Sequence, residues 1–232
     1  MDRRRISVRV FDTGSKRGDR ALFDTTINVG LTDTVMIEIP VAKRRASTVA
    51  VWADAGGMNP PYDISDFASV VATGTLRADC FAATAVVVPD NDTDSLFLSL
   101  KRPVGRLDII AADSVLPGHT ARLIYNGFVP SAFSLFADRA VDATASPVTD
   151  YPASGTELIC RDHLFAPPEG TATVSFAVEI LDPKGKRKAI SDPVTAELRR
   201  GCITVVKGRF FSATGSGVTI STDFEGDYNI RL

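Results

Sequence analysis

Histidine is nearly absent from this chain of 232 residues, which carries only His119 and His163. Near-neutral acid-base catalysis therefore has two side chains to draw on, and neither sits in a GxSxG, HExxH, P-loop or GxGxxG pattern. A hydrolase resting on His119 or His163 has the weakest support, and no catalytic residue is assigned. Cysteine is scarce too. Cys80, Cys160 and Cys202 are odd in number and form no CxxC pair, which excludes a disulfide framework. A Cys160–Cys202 bridge would need adjoining strands, and a buried free thiol is the commoner state. Cys160, His163 and Cys202 would supply three zinc ligands where structural zinc takes four in recognisable pairs. No metal or cofactor site is assigned.

Long apolar runs are missing as well: none approaches the ~18 to 20 residues of a membrane helix. No apolar segment of a secretion signal follows Met1. Met1 directly before Asp2-Arg3-Arg4-Arg5 reads as an added start, and the expectation is an exported chain whose signal has been removed. With 23% charged residues and net charge −2 there is no cationic excess for nucleic acid, so no nucleic-acid partner is expected. Basic runs at residues 3–5, 43–45 and 184–188 lie beside turns and read as solvated loops.

What the chain does have is alternation. Ile6, Val8 and Val10 alternate with Ser7 and Arg9, and Val35, Ile37 and Ile39 with Met36 and Glu38, the period of a half-buried strand. Gly30 and Asp33 supply turns between them. Residues 47–54 form another strand, which ends at Trp52, the only tryptophan. A loop rich in Gly and Pro follows, up to Tyr62 and Asp63. Trp52 and Tyr62 are the one candidate ligand platform, of the kind sugar-binding sites use, but large aromatics more often supply buried area. Residues 65–71, with Ser65 as N-cap, and 77–83 are the only helix candidates, each a single turn. Asp90, Asp92 and Asp94 imitate the start of a calcium loop. Ser95 stands where Gly is needed and Lys101 where a bidentate Glu should sit, so a solvated tip is the better reading.

Two short apolar runs, 96–100 and 107–111, flank Lys101-Arg102-Pro103. Pro103 lacks an N–H and holds Arg102 extended, which favours an edge, a bulge or a switch between sheets over a central ladder position. Beyond it, residues 121–125 form a strand followed by the tight-turn pair Asn126-Gly127. Residues 128–136 are apolar but interrupted by Pro130, and 138–155 read as a long surface connection. Val174, Phe176, Val178 and Ile180 share one strand face. Asp182-Pro183-Lys184-Gly185 turns that strand back into 187–190. A last hairpin joins 203–211 to 218–222 across Gly215 and Gly217. Strands at this spacing without intervening helices predict an all-β chain: two consecutive antiparallel β-sandwich domains, 1–102 and 103–232, with only short helical turns.

Several segments from Val51 onward resemble, in order, the fimbrillin-like surface proteins of Bacteroidetes, which are related to type V pilin subunits. They are Val51-Trp52-Ala53-Asp54 with Tyr62-Asp63-Ile64-Ser65-Asp66-Phe67; Arg77-Ala78-Asp79-Cys80-Phe81; and Leu100-Lys101-Arg102-Pro103 leading to residues 110–113. Tyr125-Asn126-Gly127-Phe128-Val129-Pro130-Ser131, Ala196-Glu197-Leu198-Arg199-Arg200-Gly201 with residues 204–208, and residues 224–230 complete the set. The resemblance implies two transthyretin-like sandwiches and a non-enzymatic structural or adhesion protein of the cell surface, such as a fimbrial tip or accessory subunit. Its implied partners are other pilus subunits or host and bacterial surface ligands. It also implies outer-membrane anchoring through a lipidated cysteine, which this sequence lacks, so membrane contact would run only through that lipid anchor. Some members polymerise when a strand of one subunit fills a groove in the next. Residues 6–10 and 228–232 are the segments here that could exchange. The alternative function is a carbohydrate-binding module with a glycan stacked on Trp52 and Tyr62.

Overall fold

The computed structural model describes residues 4–13, 20–30, 35–55, 59–74, 77–91, 94–113, 116–153, 157–211, 219–224 and 228–231. Arg3, Asp33, Asp92, Gly215, Gly217 and the glycines of the loop after Ala55 lie outside them. In chain order the strands are β1 (Arg4–Asp12), β2 (Phe23–Val29), β3 (Ser47–Ala55), β4 (Tyr62–Asp63), β5 (Val70–Ala72), β6 (Cys80–Val87), β7 (Phe97–Leu100), β8 (Val104–Ala111), β9 (Thr120–Asn126) and β10 (Phe128–Ser134). There follow β11 (Arg139–Ala145), β12 (Val148–Pro152), β13 (Leu158–Phe165), β14 (Ala172–Leu181), β15 (Arg187–Ile190), β16 (Val194–Leu198), β17 (Cys202–Gly208), β18 (Thr219–Phe224) and β19 (Tyr228–Arg231). No helix occurs among the described residues, and the chain is all-β, as its alternation predicts.

The sheet β2-β1-β3-β6 is a middle layer. β3 lies between β1 and β6 and is buried along both faces. Val49, Val51 and Ala53 point into a core with Ile6, Val8, Val10, Phe81, Leu98 and Leu100. Ala50 and Trp52 point the other way, into a core with Tyr62, Phe67, Val104, Phe133 and Phe165. That second core draws residues from both sides of Pro103, and so does the sheet that covers it, β11-β10-β5-β4. A third core fills a sandwich made from β12-β9-β14-β15, with β16 beside β14, and β13-β8-β17-β18. Among the described residues one ladder departs from antiparallel pairing: β17 runs parallel to β8.

Pro103 stands where expected, at a switch between sheets. β7 pairs with β19, while β8 pairs with β13 and β17. The turn at Asp182 also forms as expected: Asp182 Oδ1 accepts the Lys184 and Lys186 N–H groups at 2.9 Å, and Gly185 takes φ +77°. β17 and β18 pair as the last hairpin.

Other expectations fail for identifiable reasons. Residues 35–41 keep the predicted burial alternation, with Val35 and Ile37 inside, but form only an isolated bridge at Met36. Periodicity reports which side faces a core; it does not supply a partner strand. Residues 65–71 make no helix, because Asp63 Oδ1 accepts the Ser65 N–H and Asp66 Oδ1 the Ala68 N–H, bonds that compete with a helical turn. Residues 77–83 run straight into β6, where Cys80 and Phe81 serve different cores. The stretch 138–155 is no surface connection: β11 and β12 form one edge of a bent ribbon whose other edge is β9 and β10. Asn126-Gly127 marks the bend, where Gly127 takes φ +91° and its carbonyl accepts the Ser146 N–H at 2.6 Å. The ribbon thus leaves the second sandwich, pairs β10 with β5, and turns back at residues 135–138.

Arginine ties strands together within the sheets. Asp108, almost wholly buried, takes two guanidinium bonds from Arg106 and two from Arg161. Across the outer face of the second sandwich runs a ladder over four strands, Asp150, Arg122, Glu179 and Arg187. Gly105 marks a close approach: a Cβ there would lie 2.6 Å from the Arg199 carbonyl oxygen.

Gly105→Ala is expected to destabilise the protein by about 1–3 kcal/mol in urea denaturation, the usual cost of overpacking against immobile backbone. Burial alone would raise the Asp108 carboxyl, but the donors of Arg106 and Arg161 outweigh it and hold the group below its ordinary value. A depressed carboxyl gives stability that is present above its unfolded pKa and is lost as pH falls through the folded one. The stability gap between wild type and Asp108→Asn is therefore expected to be widest near neutrality and to shrink on acidification, read from urea midpoints across pH.

Candidate functional site

The two residues that the sequence offers as a ligand platform are brought together and hidden. Trp52 on β3 and Tyr62 on β4 meet edge to face at 5.3 Å between ring centroids, and both are 0% exposed. Their polar atoms are engaged inward: Trp52 Nε1 donates to Asp54 Oδ2 at 3.0 Å and the Tyr62 hydroxyl to the Ala78 carbonyl at 2.6 Å. Phe133 and Phe165, stacked at 5.3 Å, close the aromatic cluster. Neither ring presents a face to solvent, so a glycan has no platform here. Double-sided burial of β3 is the physical reason, since the sheet carried by the ribbon covers the face on which Trp52 stands.

Around these rings lies a buried polar cluster that the sequence did not single out. Asp162 on β13 is 0% exposed. Its Oδ2 accepts the Tyr125 hydroxyl at 2.8 Å and its Oδ1 the His163 N–H at 2.8 Å. The Arg77 guanidinium lies 3.6 Å from Oδ2 and 5.6 Å from the Tyr125 ring centroid, and the Arg77 carbonyl lies 3.1 Å from His163 Nδ1. Burial pushes the Asp162 carboxyl up, partly offset by Arg77 and by the bonds from Tyr125 and His163. The Tyr62, Tyr125 and Tyr151 hydroxyls are raised chiefly by the same desolvation, as are the Cys80 and Cys160 thiols. Thiols held protonated are poor nucleophiles, and the imidazole is engaged with a backbone carbonyl. The cluster joins Arg77, ahead of β6, to β9 and β13; it positions strands and does not assemble a reacting centre.

The three cysteines are free. Cys160 pairs with Ile109 and Cys202 with Phe224, and β8 stands between β13 and β17. Two strand spacings, about 9–10 Å, separate their ladders, which rules out a bridge. The Asp94 carboxylate accepts the Asp90 and Asn91 N–H groups at 3.1 and 3.3 Å, a local turn.

One opening reaches a core from outside. A groove of about 820 Å³ lies beside the first core, with Met36, Ile37, Pro40, Val87, Val88 and Leu96 among its lining residues. It exists because residues 37–41 cover that core outside any strand.

Most of the segments that carry the family resemblance converge on the junction. Arg5 makes two bonds to Asp54 and a third to the Tyr62 carbonyl. Arg102 grips Asp79 with two bonds, at 2.8 and 3.1 Å, and lies 4.6 Å over the Phe81 ring. Arg200 binds Asp138 at the ribbon tip and the Ala166 carbonyl, with its guanidinium 5.5 Å from the Phe133 centroid.

Asp162→Ala is expected to cost about 3–5 kcal/mol in urea denaturation, because it leaves Arg77 as a buried unpaired charge. Asp162→Asn keeps an acceptor for Tyr125 and is expected to cost less. Equal losses in the two variants would show that the cost lies in the unpaired Arg77 charge and that the Tyr125 bond adds nothing.

Comparison with known proteins gives the fold's setting. No protein of curated function matches the chain. Among solved structures it is similar to the fimbrial anchor protein Mfa2 from Porphyromonas gingivalis, at 12% identity and TM-score 0.47, covering 97% of this chain and 91% of that one. It is also similar to a fimbrial assembly protein from Parabacteroides distasonis, at 11% identity and TM-score 0.45, covering 94% and 90%. A family model matches residues 2–232, and the chain belongs to that family, the family of unknown function DUF6562.

Proposed function

We propose that this protein is a non-enzymatic structural or adhesion protein of the cell surface, acting as a fimbrial tip or accessory subunit. The observation that carries this reading is the use of its ionisable groups. Asp54, Asp79, Asp108, Asp162 and Glu179 are each paired with an arginine from another strand or from the segment leading into one. Such an arrangement resists separation of neighbouring strands, which suits a protein that transmits force between a surface and a partner. The sequence resemblance supports the same reading, since most of its segments build the junction. Anchoring in the outer membrane through a lipid belongs to this proposal.

Assembly by strand exchange gives the reading its finer form. The groove beside the first core would accept a strand from a second subunit, since its wall at residues 36–41 makes no ladder. β19 is the better donor of the two candidate segments. It gives up one ladder, with β7, whereas β1 would give up two, with β2 and β3. A glycan stacked on Trp52 and Tyr62 has no corresponding support, because both rings are buried.

Antibody labelling of intact native cells and of sheared surface fractions is expected to find the protein outside the outer membrane. Recovery solely as a soluble periplasmic monomer would overturn the proposal. Ser99 and Asn229 are paired residues of β7 and β19. A Ser99→Cys, Asn229→Cys disulfide is expected to block assembly under oxidising conditions and release it on reduction; equal polymer in both states would exclude β19 as donor.

A further inference from the structure

The chain has seven lysines, and four of them, Lys184, Lys186, Lys188 and Lys207, gather at one end of the second sandwich. The registers place them there. Leu181, just before the β14–β15 turn, pairs with Thr120 at the start of β9, and Pro152 at the end of β12 pairs with the same residue. Gly208 at the end of β17 pairs with Ala111 at the end of β8. The ends of the two sheets meet where the His119 ring lies 6.5 Å from Phe211, and Asp113 accepts the N–H groups of Phe210 and Phe211 at 3.1 and 2.8 Å. Lys184 and Lys186 on the turn, Lys188 on β15, Lys207 at the end of β17 and Arg209 just after it therefore share one pole, opposite the end where the ribbon departs. All five are exposed.

The pole is cationic because its acids are occupied or few. Asp182 is spent on the backbone of the turn, Asp113 on Phe210 and Phe211, and Arg187 is held by Glu179. Glu157 is the exposed carboxylate close by, its carbonyl bonded to Ala111. None of Lys184, Lys186, Lys188, Lys207 and Arg209 makes an ion pair with a described residue. Elsewhere the chain joins its charges through arginine, whose planar fork fixes geometry; here it presents flexible hydrated point charges, which suit a partner of repeated negative charge and loose register. A chain of net charge −2 thus gathers five exposed cations without an ion pair to a described residue at one end.

We propose that this pole is an electrostatic docking surface for an acidic polysaccharide. Its neutral neighbours Thr219 and Ser221 on β18 are exposed hydroxyls that can bond a hydroxyl-rich chain. Among the described residues the pole has no exposed Phe, Tyr or Trp for base stacking, and only Ile190 and Ile220 on the adjoining strands to enter a bilayer. The surface is independent of the groove and of strand exchange.

The test uses the full chain, with heparin as the sulfated polysaccharide, phosphatidylglycerol vesicles and a single-stranded DNA oligomer as competing probes. Retention on heparin-agarose at low salt and elution as salt rises is expected, because screening removes the attraction. Lys184→Gln, Lys186→Gln, Lys188→Gln together should weaken heparin binding by about tenfold or more, whereas Lys43→Gln, Lys101→Gln, Arg139→Gln should elute with wild type. Wild-type protein in the flow-through, or the same elution for both triple variants, would overturn the site. Tighter binding to vesicles or DNA than to heparin at equal salt would overturn the choice of partner.

Discussion

A strand that is dry on both faces sets the terms for this molecule. β3 alternates Val49, Val51 and Ala53 with Ala50 and Trp52, so both sides of its sheet must be covered. One side is closed by β7 and the extended residues 35–41. The other needs a second sheet, and the first half of the chain supplies only β4 and β5, which together pair over five residues. β10 and β11 make up the difference, arriving from beyond Pro103. Trp52, Tyr62, Phe133 and Phe165 consequently form a single cluster from residues more than a hundred positions apart.

Charge is divided between two tasks by residue type. The chain carries 19 arginines against seven lysines. Arginine binds carboxylates bidentately and stacks on rings, as Arg102 does with Asp79 and Phe81. Asp108 and Glu179 each answer to two arginines, which satisfies more of their lone pairs than one partner could. Pairs of this kind, once buried, give specificity of register more than net stability. Lysine is left for surfaces.

Alternation made the strands of both halves legible, and turn chemistry made Asp182 to Gly185 and the sheet switch at Pro103 legible. Neither could reveal β11 and β12. Ala, Thr and Ser at an exposed edge carry no burial signal, and their strand state comes from the ladder offered by β9 and β10. Trp52 and Tyr62 do meet, edge to face. Whether such a pair faces solvent depends on a covering sheet assembled from the other half, which local pattern does not contain. Asp162 was invisible for the same reason, since its partners Arg77 and Tyr125 lie 85 and 37 positions away.

The bend at Gly127 and Ser146 has a consequence for how the chain must fold. The ladder between β5 and β10 and the contacts of Phe133 and Phe165 with Trp52 close loops of some tens to over a hundred residues, and loop-closure entropy must be met before those contacts form. During synthesis the first half emerges with Trp52 and Tyr62 uncovered and one face of its middle sheet bare. It stays in that condition until the ribbon and β13 have followed. That interval, and not the finished molecule, is when this protein is most exposed to aggregation.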